Sequence, residues 1–129
     1  MKMNKAAFDT GFFVEFYYSQ DHSLKQKMTE KKKIRGKYVS AIVIHELYNL
    51  SLVRQGREVA ETRTASIKEE FEILPVDDQV AQISAELRHK YNLSMGDSMI
   101  AATAFILKAV CITDDPHFIQ IKEIEAIWI

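Results

Sequence analysis

The chain has one cysteine, two prolines and four glycines in 129 residues, and its formal net charge is only −1. Each scarcity excludes something. Cys111 has no partner for an internal disulfide. Its place inside Val110-Cys111-Ile112 reads as a small buried thiol, in keeping with a reducing cytosol. No apolar run approaches the ~20 residues needed to span a bilayer. The start, Met1 to Thr10, has no long apolar stretch, so no secretory leader is expected. With so little net charge, the overall field neither attracts nor repels nucleic acid strongly. Any such affinity must come from local basic patches. No repeat, linker or low-complexity segment interrupts the chain. One domain over residues 1–129 is the simplest organisation, and 47% hydrophobic content is ordinary for a globular core.

What is present is an alternation of strand and helix signals. Ala6 to Phe8, extended slightly upstream, predicts a first strand. Gly11 separates it from a short helix carrying Phe12-Phe13-Val14 and Phe16-Tyr17-Tyr18. Residues 23–37 are highly charged and predict an exposed helix ending near Gly36. The β-branched run Tyr38 to Ile44 predicts a buried second strand. From His45 the period turns helical, with Leu47, Leu50, Ser51 and Val53 on one face until Gly56. A more polar helix follows from about Glu58 to Glu70, and Phe71 to Val76 predicts a third strand leaving the sheet at Pro75. Asp77 is a good N-cap for a helix bearing Val80, Ile83, Leu87 and Tyr91. Ser94 or Asp97 caps the next helix. Its stretch Met99 to Leu107 is apolar nearly all round, so it is expected to be buried, its alanines close against a sheet. Val110 to Ile112 and Ala126 to Ile129 predict strands four and five. Phe12, Phe13, Phe105 and Trp128 are expected in the core. This alternation implies an α/β fold: a three-layer α/β/α domain around a mostly parallel sheet of four or five strands.

Four acidic residues recur at similar places in this pattern. Asp9 ends Ala6-Ala7-Phe8, and Glu46 follows Ala41 to His45. Asp97 opens the apolar stretch from Ser98 to Leu107, and Asp115 follows Val110 to Asp114. Parallel sheets bind ligands beyond the carboxyl ends of their strands, where Asp9, Glu46 and Asp115 are expected. Clustered carboxylates repel one another unless a cation sits between them, and an all-oxygen set suits a hard divalent ion. That points to metal-dependent chemistry on a phosphate ester. Taken singly, each acid has a plain structural reading: Asp97 as an N-cap, Asp9-Thr10-Gly11 and Asp114-Asp115-Pro116 as turns, Glu46 as a residue facing a helix dipole. Those readings do not account for four acids in this order on one α/β pattern.

The four segments also resemble the motifs of PIN-domain ribonucleases. Phe8-Asp9-Thr10 resembles the first motif, and Glu46-Leu47 after an apolar run the second. Gly96-Asp97 with the alanine-rich stretch to Ala104 resembles the third, and Thr113-Asp114-Asp115-Pro116-His117-Phe118 the fourth. The resemblance covers nearly the whole chain. Length and layout look most like the VapC-type toxins of toxin–antitoxin pairs. Two departures stand out: Gly11 occupies a position where Ser or Asn is frequent, and the fourth motif carries two adjacent aspartates. Its Thr-x-Asp register favours Asp115.

The resemblance implies an endoribonuclease that uses Mg²⁺ or Mn²⁺ held by Asp9, Glu46, Asp97 and Asp115. Asp9 and Asp97 are expected as direct ligands. Glu46 and Asp115 are expected to hold metal-bound waters, orient the nucleophile or bind a second ion. Thr10 and Thr113 are expected to donate hydrogen bonds to the carboxylates or the phosphate. The resemblance further implies an RNA substrate, a protein antitoxin, a homodimer, a cytoplasmic setting and no membrane. The basic segment Lys25 to Lys37 is either a solvated helix face or a track that steers RNA towards the acids. None of His22, His45, His89 and His117 has metal-ligand spacing, so all four are expected to be non-ligands, with His45 facing away from Glu46. Two competing readings are a haloacid-dehalogenase-type phosphatase and a non-catalytic PIN-like module binding RNA or protein. The first wants an acid where Gly11 stands, and another where Ala101 stands; the second has no need of all four acids.

Overall fold

The computed structural model describes residues 4–128. Five strands form one sheet in the order β3-β2-β1-β4-β5, and every pairing is parallel. The strands are β1 Lys5–Phe8, β2 Gly36–Ser40, β3 Glu72–Leu74, β4 Val110–Ile112 and β5 Ala126–Ile127. The helices are α1 Thr10–Tyr18, α2 His22–Lys31, α3 Ala41–Arg54, α4 Arg57–Glu70, α5 Asp78–Tyr91, α6 Met95–Leu107 and the short α7 Pro116–Ile119. The chain runs outward from β1 to β3, then returns to add β4 on the other side of β1. Right-handed crossovers therefore put α1 to α4 on one face of the sheet and α5 and α6 on the other. The result is the expected three-layer α/β/α domain.

The core lies along β1 and β4, where Ala6, Ala7, Phe8, Cys111 and Ile112 are all buried. Phe8 meets Phe12 and Phe71 edge to face, with ring centroids 4.8 and 5.1 Å apart. Ala101, Ala102 and Ala104 keep α6 close to the sheet. Phe12 and Phe13 are buried as expected, and Trp128 packs against Phe12. Phe105 is not core: it is 42% exposed, because Ile100, Ala101, Ala102 and Ala104 take the buried positions of α6.

Several boundaries differ from the sequence reading. β2 stops at Ser40, and the run Ala41 to Ile44 begins α3 instead of continuing the strand. Ser40 caps that helix by accepting from the Ile42 N–H at 3.3 Å, and burial of Val43 outweighs the strand preference of β-branched residues. Val53, expected on the inner face of this helix, is 78% exposed, while Val43, Leu47 and Ser51 are buried. Gly11 lies inside α1, not between elements. The charged helix ends at Lys31, and Gly36 opens β2. That helix buries Met28, so it is not exposed all round. Phe71 caps α4 and only Glu72 to Leu74 are strand, ending before Pro75. Ile129, expected at the end of β5, lies outside the described residues.

Candidate active site

The strand order reverses between β1 and β4, where a parallel sheet leaves a crevice at its carboxyl edge. Phe8 and Ile112 are partners in register, so Asp9 and Thr113 emerge side by side there. The Thr113 hydroxyl donates to Asp9 Oδ2, and the Phe12 N–H donates to Oδ1 at 3.0 Å. Asp9 thus serves as the N-cap of α1, and both of its carboxylate oxygens accept hydrogen bonds. Burial pushes its carboxyl up to about 6; the Thr113 and Phe12 bonds pull the other way, and the Asp114 and Asp97 charges add to the rise.

Asp97 reaches the same crevice from α6. The cap of that helix is Ser94, whose hydroxyl accepts from the Asp97 N–H at 3.2 Å. Ser94 does the capping, and the Asp97 carboxylate lies within reach of the Asp115 and Glu46 charges. Partial burial raises its pKa, as do the charges of Asp115 and Glu46, against the opposing effects of Ser94 and His117.

Glu46 comes from the second turn of α3, not from the rim of a strand as the sequence suggested. Thr10, the first residue of α1, donates to its Oε1. His45 is exposed, on a different side of the helix from Glu46. Asp115 caps α7, accepting from the His117 N–H at 2.9 Å and pairing with His117 Nδ1 at 2.7 Å. Its own N–H donates to Thr113 Oγ1 at 3.0 Å. Asp97 therefore links the four acids expected from sequence: Asp115 lies close to it, the charge of Glu46 bears on it, and its own charge bears on Asp9, while both threonines hold carboxylates.

Three features were given no role by the sequence reading. One ligand atom from each of Asp97, Asp115 and His117 lies within 4.8 Å of the others, so His117, expected from sequence as a non-ligand, stands in a group that could hold a metal, and neither Asp9 nor Glu46 belongs to that group. Proline at the first position of α7 starts a helical turn that folds His117 back onto Asp115, a spacing the sequence does contain. Asp114 faces Asp9, across the space left open by Gly11, where a Cβ would lie 3.4 Å from Asp114 Oδ1. The two adjacent aspartates thus face different acids. Gly96 is the third, its backbone lying against the Glu46 carboxylate. Of the seven cations in the basic segment, three have acidic partners among the described residues. Lys32 meets Glu70 at 3.2 Å, Lys33 meets Glu30 at 3.1 Å, and Lys37 reaches Glu70 at 3.9 Å. Gly36 and Lys37 pair with Lys5 and Ala6, at the sheet edge opposite the acids.

The PIN-domain family model matches residues 6–124. The chain belongs to the PIN-domain family. Solved PIN structures share its fold at low identity. A Rickettsia felis VapBC2 complex bound to promoter DNA is 18% identical, with 96% of this chain and 98% of that one covered and a TM-score of 0.80. FitAcB from Neisseria gonorrhoeae is 22% identical over 94% and 95% of the two chains, with a TM-score of 0.76. VapC20 from Mycobacterium tuberculosis, a sarcin–ricin loop-cleaving toxin, is 17% identical over 94% and 99%, with a TM-score of 0.76. No curated protein matches the chain. Among the described residues, no helix of this PIN domain is long and apolar enough to cross a membrane.

The donor set of this PIN domain fits a hard cation. Carboxylate oxygens dominate it, and their mutual repulsion is relieved by positive charge at the centre. Cys111 sits behind the site, fully buried, and burial pushes its thiol well up, so it is inert as a ligand or nucleophile. The Thr113 hydroxyl is the most consequential neutral group. Thr113→Val should leave the Asp9 carboxylate short of a donor and the Asp115 N–H short of an acceptor, destabilising the fold by about 1–3 kcal/mol. Thr113→Ser should restore most of that loss in thermal unfolding. A valine variant as stable as the parent would show that this hydroxyl holds nothing.

Proposed function

We propose that this PIN domain is a metal-dependent endoribonuclease, working with Mg²⁺ or Mn²⁺, and the toxin of a toxin–antitoxin pair. The observation that carries the reading is the meeting of Asp9, Glu46, Asp97 and Asp115 at the β1–β4 switch point, with Thr10 and Thr113 holding two of them. When bound, a hard divalent cation activates water and offsets charge on the phosphate and the leaving oxygen. Asp9 and Asp97 are proposed as its direct protein ligands, since Mg²⁺ usually takes only one or two carboxylates and keeps several waters. Glu46 and Asp115 then orient waters or hold a second ion. Thr113 fixes the Asp9 carboxylate through its Oδ2. His117 fixes the rotamer of Asp115 through its Nδ1 contact.

An RNA substrate is supported by the family and by the description of VapC20 as a toxin that cleaves the sarcin–ricin loop. A protein antitoxin is supported by solved relatives that include toxin–antitoxin complexes, one from Klebsiella pneumoniae. A homodimer in the cytoplasm completes the proposal. The exposed apolar side chains Leu52 and Val53 at the end of α3 are compatible with a protein partner on that face.

The test is cleavage of total RNA with Mg²⁺ or Mn²⁺, with and without a chelator. Cleavage should stop when the chelator is added and return when either ion is supplied in excess. Cleavage that persists in the chelator would remove the metal from the mechanism. No cleavage with any divalent ion would favour a binding module.

A further inference from the structure

Gly96 is the second residue of α6. Gly56 alone among the described glycines has a positive φ, so Gly96 is not there for a left-handed backbone. Alanine would suit a helix better, because glycine adds backbone entropy without a packing side chain. Space supplies the reason instead. A Cβ on Gly96 would lie 2.8 Å from Glu46 Oε2 and 3.5 Å from the Glu46 carboxyl carbon. The other oxygen of that carboxylate, Oε1, accepts from Thr10. Glu46 is therefore gripped between a hydroxyl of α1 and bare backbone of α6, one residue from Asp97.

We propose that Gly96 is a positioning residue whose missing side chain opens the slot that holds the Glu46 carboxylate beside Asp97. The consequence for cleavage rests on the nuclease reading above. An added methyl must either push the flexible Glu46 head group out or move α6 away from α3. The first is easier, so the fold survives while the slot closes.

Three variants test this: Gly96→Ala, Glu46→Asp and the two combined. The readouts are Mn²⁺ affinity by calorimetry, RNA cleavage, and the carbon NMR signal of the Glu46 carboxyl. Gly96→Ala should keep its melting temperature, shift the Glu46 signal, weaken Mn²⁺ binding, and slow cleavage by about tenfold to a hundredfold. Aspartate is one methylene shorter and withdraws from the new Cβ. Glu46→Asp should therefore cost much less in the Gly96→Ala background than in the parent. An unmoved Glu46 signal in folded Gly96→Ala, or strictly additive losses, would overturn the proposal. If the parent cleaves no RNA with any ion, the nuclease reading fails, and the Glu46 signal still decides the slot. If Gly96→Ala does not fold, recovery of folding in the double variant supports the slot, and no recovery overturns it.

Discussion

Asp97→Asn is expected to lose RNA cleavage by on the order of 10³-fold while raising the melting temperature of the metal-free protein. The two effects share one cause. Asp97 is half-buried on α6, and the charges of Asp115 and Glu46 bear on it. Without a cation, its ionised form is paid for by the fold. Asparagine keeps the shape and removes the charge. The helix keeps its start, because Ser94 accepts from the backbone N–H of residue 97, which asparagine retains. Each kcal/mol recovered should appear as about 4 °C in melting temperature for a domain of this size. Mn²⁺ affinity should fall in parallel. Cleavage equal to that of the parent would reject this pocket as the place where RNA is cut. A lower melting temperature would mean that the carboxylate has a stabilising partner in the fold.

The second large effect is in pH. Asp9 has a carboxyl pushed to about 6 against an ordinary 3.8, chiefly by burial. The folded protein therefore binds this proton more tightly than the unfolded chain does. The stabilising contribution of protonated Asp9 is full below pH ~4 and is lost as pH rises through about 6. That gap is worth about 3 kcal/mol at ~1.36 kcal/mol per pH unit. The rise at Asp97 acts in the same direction. Compared with Asp9→Asn, the metal-free parent should lose up to this amount between pH 4 and 7. Saturating Mn²⁺ should reverse the trend, because the ion binds the ionised carboxylate and its affinity grows as the proton leaves. Denaturant unfolding of both proteins across this range, with and without Mn²⁺, measures the difference. A gap between parent and variant that stays flat with pH would show that burial does not govern Asp9.

The helices that could be located from sequence are those with local signals at their ends. Asp77 starts α5, and Ser94, one of the two caps read for the next helix, starts α6. These caps satisfy backbone groups within a few residues, so no distant contact is needed to read them. The run Ala41 to Ile44 had no such clarity. Four apolar, mostly β-branched residues suit a buried strand or a buried helix equally, and only packing of Val43 and the Ser40 cap decided for α3. That decision moved Glu46 from a strand rim to the second turn of a helix. Phe105 was misplaced for a related reason: an all-round apolar helix does not say which side its neighbours leave open.

Residue types and their order along the chain were enough to establish an α/β domain with parallel strands, and to single out Asp9, Glu46, Asp97 and Asp115 as acids worth bringing together. Hydrophobic period and cap chemistry are local, and a linear chain carries them in full. How the acids are held was decided only in three dimensions. Thr113 reaches Asp9 across β1 and β4, Thr10 reaches Glu46 across α1 and α3, and Asp114 and Asp115 part towards different neighbours. Those contacts join residues up to 104 positions apart. They exist because strand register and helix approach put the groups within hydrogen-bond reach, and neither is written in any local stretch of sequence.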